Sequence, residues 1–265
     1  MATKVGNRLK LLWTEVSTIT KYELREHLFS LLEKKSDEFL HIVTLNAEIV
    51  MQSHKDIELR DALKTSEVLV PDGVSIIMAI KMLYGQQIER IRGIDLIYDL
   101  ADVAVQTKSP VFLLGSTSNV SSRAVEKLRS LYPDIICNGY SPPHPAPDFP
   151  TGLTNKIFDQ LQSTHSKIVC VAFGGKRQEI WIHRNRQRLK DIGMKIAIGI
   201  GGSLDILSGK VKNTPSWMKQ VGVEWLYRLL LEPRARFKRQ ITRLPAFCYF
   251  VLQEKRRKVL GENKL

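Results

Sequence analysis

The chain has 265 residues, 43% hydrophobic and 25% charged, with 40 Lys or Arg against 27 Asp or Glu for a formal net charge of +13. That size and apolar fraction suit a soluble globular protein made of one α/β domain with an appendage, or of two small domains. The positive excess points to a polyanionic partner: nucleic acid, an anionic membrane or a phosphorylated substrate.

Cys137, Cys170 and Cys248 are odd in number and widely spaced. They show neither a disulfide framework nor zinc-ligand spacing, so a reducing compartment is expected. Met1 to Lys10 lacks the apolar core of a signal peptide. Lys21 to Lys35 carries Leu24, Leu28, Leu31 and Leu32 on one face and is predicted as an amphipathic helix, with His27 beside the stripe as a packing or surface histidine. His41 to Leu45 follows as a strand ending at Asn46, and Glu48 to Lys64 as one helix.

Val68-Leu69-Val70 is a short β-branched run that Pro71 closes and Asp72-Gly73 turns into an apolar helix, Val74 to Leu83. A carboxylate just past the end of a parallel strand sits where open α/β sheets bind ligands. The competing reading is that Asp72 caps the following helix. Two successive strands thus finish in polar residues, Thr44 with Asn46 and then Asp72, that could converge on one crevice.

Glu89 to Asp95 opens a helix over Leu96 to Gln106, and Asp95 also fits as a charge favoured in a first helical turn. Pro110 to Gly115 is a strand, Ser121 to Leu131 a helix and Asp134 to Gly139 a strand. Ser141 to Pro150 holds five prolines and reads as a stiff loop. A helix over Leu153 to Gln162 precedes a strand, Lys167 to Phe173, that runs into Gly174-Gly175. Lys176-Arg177-Gln178-Glu179 starts a helix, and the strand Met194 to Ile200 leads to Gly201-Gly202-Ser203.

Alternation of strands and helices from about residue 41 to 205 predicts a doubly wound, mostly parallel α/β sheet of Rossmann-like type. Trp217 to Leu231 is apolar-rich and predicted helical, with faces that could pack inside the protein or between subunits of a homo-oligomer. From Pro233 to Leu265 ten Lys or Arg stand against two Glu, a net +8 of the chain's +13. Phe237, Ile241, Leu244, Phe247, Tyr249, Phe250, Val251 and Leu252 lie between the basic clusters. A basic, aromatic-bearing segment of this kind can lie in a membrane interface, and a solvated arm or nucleic-acid tail is its rival. The boundaries that follow are a core over residues 1–210 and a basic helical appendage over 211–265.

The glycine pairs follow strands, where glycine admits a ligand close to the backbone and a helix N-terminus can hold phosphate, although tight strand–helix turns alone explain them. Neither is a P-loop or a dinucleotide fingerprint. No Asp-x-Asp and no His/Cys cluster has metal-ligand spacing, and no Gly-x-Ser-x-Gly elbow occurs. A reaction on this chain would use Asp or Glu as base, with Arg, Lys or helix ends as the cationic groups.

Thr44-Leu45-Asn46, Pro71-Asp72-Gly73, Glu89-Arg90 with Gly93 and Asp95, Phe112 to Gly115, Gly139 to Pro143, Gln178-Glu179, Gly201 to Asp205, and Glu224 to Leu229 with Glu232-Pro233 and Arg236 occur in a fixed order. That ordered set, over about residues 40 to 240, resembles the WecG/TagA/CpsF glycosyltransferases (glycosyltransferase family 26). The resemblance implies an inverting transferase, without cofactor or metal, that moves a sugar from a UDP-sugar to a polyprenyl-diphosphate-linked sugar for cell-surface polysaccharide. N-acetylmannosamine is the sugar moved in the teichoic-acid and enterobacterial-antigen branches. It implies Asp72 as the catalytic base. Thr44, Asn46 and Gln178 match pocket positions that would orient sugars, and Gly73, Arg90, Gly93, Asp95, Glu179, Gly202 and Asp205 fall in the same matched set as substrate-binding positions. Arg228, Arg234, Arg236 and Arg239 fall in or near an appendage that in the family closes over the site and holds diphosphate at the membrane.

The resemblance has departures. The family's Gly-Ser/Ala-Pro-Lys-Gln-Glu has Lys176 for its Pro and Arg177 for its Lys, and its Arg-Ala-Pro reads Asn213-Thr214-Pro215. The expected location is cytoplasmic, peripheral on the inner face of the cytoplasmic membrane. Nucleic acid is not an expected partner, because the basic residues gather at one end and no aromatic RNA-stacking motif is present. The rival functions are a nucleic-acid-binding protein using the tail and a non-catalytic sugar-nucleotide-binding relative, the latter prompted by Asn213.

Overall fold

A computed structural model describes residues 4–34, 38–143, 150–212, 214, 218 and 233–261, and the side chains of all of these except 233–242. Eight strands and eleven helices are described: β1 (Arg8–Leu11), β2 (Thr14–Ser17), α1 (Lys21–Glu33), β3 (Leu40–Leu45), α2 (Ala47–Ser53), α3 (Ile57–Thr65), β4 (Val68–Pro71), α4 (Val74–Tyr84), α5 (Gly93–Gln106), β5 (Val111–Gly115), α6 (Ser118–Leu131), β6 (Cys137–Tyr140), α7 (Thr151–Ser163), β7 (Ile168–Ala172), α8 (Lys176–Arg184), α9 (Arg186–Asp191), β8 (Ile196–Gly199), α10 (Ser203–Leu207) and α11 (Pro233–Val259).

Six strands form one sheet in the order β4-β3-β8-β7-β5-β6, and every pairing in it is parallel. The predicted doubly wound α/β architecture is therefore what the chain adopts. Its strands are apolar runs because both faces are covered, as parallel sheets require. Alternate residues serve opposite layers. Leu40 and Ile42 of β3, Val68 and Val70 of β4, and Ile196 and Ile198 of β8 pack in one core with α1, α5, α6 and α10. Val43, Leu45 and Leu69 face a second core with α2, α3 and α4, while Phe112, Val169 and Ala197 face a third with α7 and α8.

Three features differ from the sequence reading. The single helix expected over Glu48 to Lys64 is two, α2 and α3. Asn46 caps the first by accepting from Ile49 N–H, and Asp56 caps the second by accepting from Leu59 N–H, both at 3.1 Å. The strand expected over Asp134 to Gly139 begins only at Cys137. The N-terminal stretch, to which no element was assigned, forms an antiparallel hairpin of β1 and β2. That hairpin covers the β4 edge of the sheet. Arg8 donates to the carbonyls of Ser66 at 2.7 Å and Glu67 at 2.5 Å, and Leu69 N–H donates to Ser17 Oγ at 3.0 Å.

The C-terminal helix α11 is docked on the core along one face. Phe247 and Val251 are buried, with Leu244 and Phe250 partly so, against α2, α4 and the hairpin. Leu12 N–H donates to Glu254 at 3.0 Å. The Trp13 indole donates to Val50 O at 2.7 Å and to Ser53 Oγ at 3.0 Å, and its ring meets Phe250 edge-on at 5.4 Å. Among the described residues no helix is long and apolar enough to cross a membrane. The apolar segment Trp217 to Leu231, Met218 excepted, lies outside the described residues.

Candidate functional site

The carboxyl ends of β3, β4, β7 and β8 lie side by side, the edge at which open α/β sheets bind ligands. Asp72 stands there immediately after β4. Its backbone is fixed by Asp72 N–H donating to Leu45 O at 3.0 Å, and Arg90 Nε donates to Asp72 O at 2.7 Å. The N-cap of α4 is Gly73, without a side-chain cap bond. Asp72 Oδ1 accepts from Gly93 N–H at 3.0 Å, at the first residue of α5 and 21 positions along the chain. The half-buried carboxylate is thereby held across two loops, on the positive end of a 14-residue helix.

The neighbours of that carboxylate come from the other strand ends. A Cβ at Gly93 would meet Ser203 Oγ at 3.1 Å and the Thr44 methyl at 3.4 Å, so the start of α5, the end of β3 and the start of α10 converge. A Cβ at Gly73 would meet Asn46 Cβ at 3.4 Å. Thr44 Oγ1 donates to Gly199 O at 2.8 Å, which ties β3 to the end of β8. Gly201, at φ 46°, occupies the left-handed region that a turn off β8 requires.

Gln178 and Glu179 enter from α8, and both are almost fully buried. Gly201 N–H donates to Gln178 Oε1 at 3.0 Å, and Gln178 Nε2 donates to Glu179 Oε1 at 2.8 Å. Glu179 Oε2 meets Nε2 of the buried His41 on β3 at 2.9 Å.

Not every matched position joins this cluster. Asp95 is engaged by Arg92 through two hydrogen bonds, at 2.6 and 2.7 Å. Gly202 is the N-cap of α10. Asp205 belongs to a neighbouring group beyond β5, where Ser116 Oγ and Lys210 Nζ both reach its Oδ1 at 3.2 Å. Ser116 there is a non-glycine residue at φ 58°, an uncommon geometry. Arg228 lies outside the described residues, as do Asn213 and the side chains of Arg234, Arg236 and Arg239.

Lys176 has a definite place. Its ammonium donates to Asp56 at 2.5 Å and holds that carboxyl below the usual carboxylate range, chiefly through the hydrogen bond. At the rim, Arg243 of α11 pairs with Glu48 at the start of α2, and a Cβ at Gly175 would meet Gln52 Oε1 at 3.6 Å. The C-terminal helix therefore reaches the edge of the site.

Ser203, Arg243 and His41 are participants that sequence reasoning did not single out. Ser203 lies within the Gly201 to Asp205 motif, Arg243 is one of ten tail cations, and His41 opens the expected apolar strand. A histidine in an otherwise apolar strand is the signal that could have drawn attention to it. Among the described residues no three His, Cys, Asp or Glu side chains gather as a metal-binding group.

The sequence matches the Glycosyl transferase WecG/TagA/CpsF family over residues 9–260. It is similar to the N-acetylglucosaminyldiphosphoundecaprenol N-acetyl-beta-D-mannosaminyltransferase of Bacillus subtilis (strain 168), 35% identical over 217 residues that cover 82% of this chain and 80% of the relative. The protein of the same name from Bacillus spizizenii (strain ATCC 23059 / NRRL B-14472 / W23) is 30% identical over 256 residues, 97% of this chain and 93% of the relative. With a parallel α/β sheet, polar side chains gathered at its carboxyl edge and a match over nearly its whole length, the chain belongs to the WecG/TagA/CpsF family of glycosyltransferases.

Proposed function

We propose that the protein transfers an N-acetylhexosamine, of which N-acetylmannosamine is the first choice, from a UDP-sugar to a polyprenyl-diphosphate-linked sugar. The observation that carries this reading is the Asp72 carboxylate, fixed by Gly93 N–H at the carboxyl edge of the sheet. An acceptor hydroxyl is a poor nucleophile until a base takes its proton as the bond forms, and Asp72 is the group assigned to that task. The hydroxyl oxygen attacks the anomeric carbon, the bond to the nucleotide diphosphate breaks, and the proton goes to Asp72. A single displacement of this kind inverts the anomeric centre.

The negative charge that develops on the departing diphosphate calls for preorganised cations and N–H donors. Arg90 beside Asp72 and the tail arginines Arg228, Arg234, Arg236 and Arg239 are assigned to it, and no step in this reading requires a metal. Asn46 is the candidate sugar contact. Its Oδ1 is spent on capping α2, which leaves its amide N–H groups for a ligand. The relatives are named for a diphosphoundecaprenol acceptor, which supports a lipid-linked substrate here too. Such an acceptor stays in the bilayer, so the enzyme is placed peripherally on the inner face of the cytoplasmic membrane. Its attachment is assigned to the basic appendage.

The test is transfer itself. Purified protein is mixed with anionic liposomes bearing an undecaprenyl-diphosphate-GlcNAc analogue and with a panel of UDP-sugars. Release of UDP with one N-acetylhexosamine donor, and an inverted product by NMR, are expected. No release from any UDP-HexNAc with that acceptor would overturn the assignment.

A further inference from the structure

Four polar groups form a continuous buried line from the middle of the sheet to the site. His41 Nε2 meets Glu179 Oε2 at 2.9 Å, Glu179 Oε1 accepts from Gln178 Nε2 at 2.8 Å, and Gln178 Oε1 accepts from Gly201 N–H at 3.0 Å. The His41 and Glu179 side chains have no exposed area at all. Room for the line is cut into the sheet, because a Cβ at Gly199 would fall on the Glu179 carboxylate and the Gln178 amide. Burying such groups is costly, and an apolar filling of the same volume is commonly at least as stable. The line therefore needs a reason other than stability.

The reason lies in the chemistry of an amide. A glutamine side chain can turn over and exchange its oxygen for its NH2. In one orientation Gln178 accepts from Gly201 N–H. In the other it presents donor to donor and loses the bond. An ionised carboxylate only accepts, so Glu179 admits the Gln178 NH2 and rejects its oxygen. His41 in turn holds the carboxylate, with Nε2–H donating. That tautomer leaves Nδ1, buried and without a hydrogen-bond partner among the described residues, as a bare lone pair and not as a stranded N–H. The backbone of His41 is fixed as well, by N–H donating to Glu67 Oε2 at 2.7 Å, and Glu67 is paired with Arg186.

At its far end the line fixes the turn that carries Ser203, and Ser203 Oγ abuts Gly93, whose N–H holds Asp72. We propose that His41 and Glu179 are positioning residues that act through Gln178 to fix the Gly201 turn, and with it the carboxylate of Asp72. Gln178 and Glu179 then serve the reaction from behind the pocket wall, not by touching substrate. This inference rests on the reading of Asp72 as the base.

The experiment compares Glu179→Leu, which removes the acceptor, with Glu179→Gln, whose amide oxygen still accepts from Gln178 while its NH2 meets His41 Nε2, the ring taking its other tautomer. Each rate is expressed per UDP-binding site, titrated by calorimetry, so that loss of folded protein is divided out. Misplacing a reacting group by about 1 Å can cost about 10²-fold. Glu179→Leu is expected to lower kcat per site by about ten- to a hundredfold with the donor KM changed less than threefold. Glu179→Gln is expected to fall between wild type and Glu179→Leu, because Gln178 keeps an acceptor while the other tautomer of His41 leaves Nδ1–H without one.

A wild-type rate per site in Glu179→Leu, or a Glu179→Gln as slow as the leucine variant, would overturn the proposal. A second readout stands apart from catalysis. By NMR the Gly201 amide should exchange with solvent faster in Glu179→Leu while the β7 and β8 amides keep their protection. An unchanged Gly201 amide would overturn the line even where no transfer is found. An altered amide in a protein without transfer activity would sustain the line and count only against the functional reading.

Discussion

Gly199 shows how little freedom a residue of this site has. The Glu179 carboxylate and the Gln178 amide occupy the space where a side chain would stand, and Gly199 O accepts the Thr44 hydroxyl. Overpacking a tight interior typically costs about 1–3 kcal/mol. Gly199→Ala is therefore expected to lower the melting temperature by several degrees and to slow transfer. A scanning-calorimetry trace matching wild type would show that the space is not filled as described. The cysteines give an independent check. Burial disfavours the thiolate and pushes Cys137 up to about 12, and it pushes the fully buried Cys170 up as well, while Cys248 is exposed on α11. At pH 8 a thiol of pKa about 12 is thiolate in only about 1 molecule in 10⁴. Iodoacetamide should then add a single label to the folded protein, at Cys248 by mass spectrometry, and three after denaturation.

At the scale of elements, α11 is held by one apolar face and by an ion pair at the rim of the site. Truncating a buried Phe commonly costs about 3–5 kcal/mol. Phe247→Ala should release α11 from α2 and α4 and expose its many basic residues to trypsin, while the sheet keeps its protection. Cleavage confined to the α11 region is the expected gel pattern, and unchanged resistance would place the helix's anchorage elsewhere. The helix pair α2 and α3 carries a similar prediction. Asp56→Ala removes both the cap of α3 and the partner of Lys176. A lost cap costs about 1 kcal/mol, so urea unfolding should shift by about that amount with its slope unchanged.

The parts of the fold legible in sequence and the parts that were not differ by range. The sheet was legible because His41–Leu45, Val68–Val70 and Lys167–Phe173 are apolar runs bounded by polar or glycine turns, which is local information. The split between α2 and α3 was not, since His54-Lys55-Asp56 holds neither Gly nor Pro and only the Asp56 cap marks the break. The four-residue strands of the hairpin are too short and too polar at Arg8, Lys10 and Glu15 for a period of two to register. The motif spacing brought Asp72 and Gly93 into one set, yet the bond between them crosses 21 residues, and that from His41 to Glu179 crosses 138. Hydrogen bonds over such separations are decided by topology, and no local pattern encodes them.

Across the whole molecule, the docked face of α11 leaves a second face outward. Tyr249 and Leu252 are exposed on it, Val259 and Leu260 lie near its end, and Lys255 and Arg256 flank them. Met78 and Met82 of α4 are exposed too, on the helix that α11 packs against and that leaves the strand end through Asp72-Gly73. Outward apolar side chains among lysines and arginines suit an anionic bilayer surface. Burying a large apolar side chain is worth about 1.5–3 kcal/mol, so Tyr249→Ser with Leu252→Ser should weaken sedimentation with anionic vesicles by about tenfold or more. Equal sedimentation of the double variant would show that this face does not bind such a surface.

In the proposed reaction Asp72 takes the proton of the acceptor hydroxyl. The most direct measurement is UDP release by Asp72→Asn beside wild type, on the same liposomes and with UDP binding determined on the same preparations. The asparagine keeps an oxygen for Gly93 N–H, so the site should hold its shape and bind UDP as before. Loss of a general base is worth about 10²–10⁴-fold, and kcat is predicted to fall by that much with UDP affinity unchanged. A variant that binds UDP and releases it from the donor at the wild-type rate would rule out Asp72 as the base.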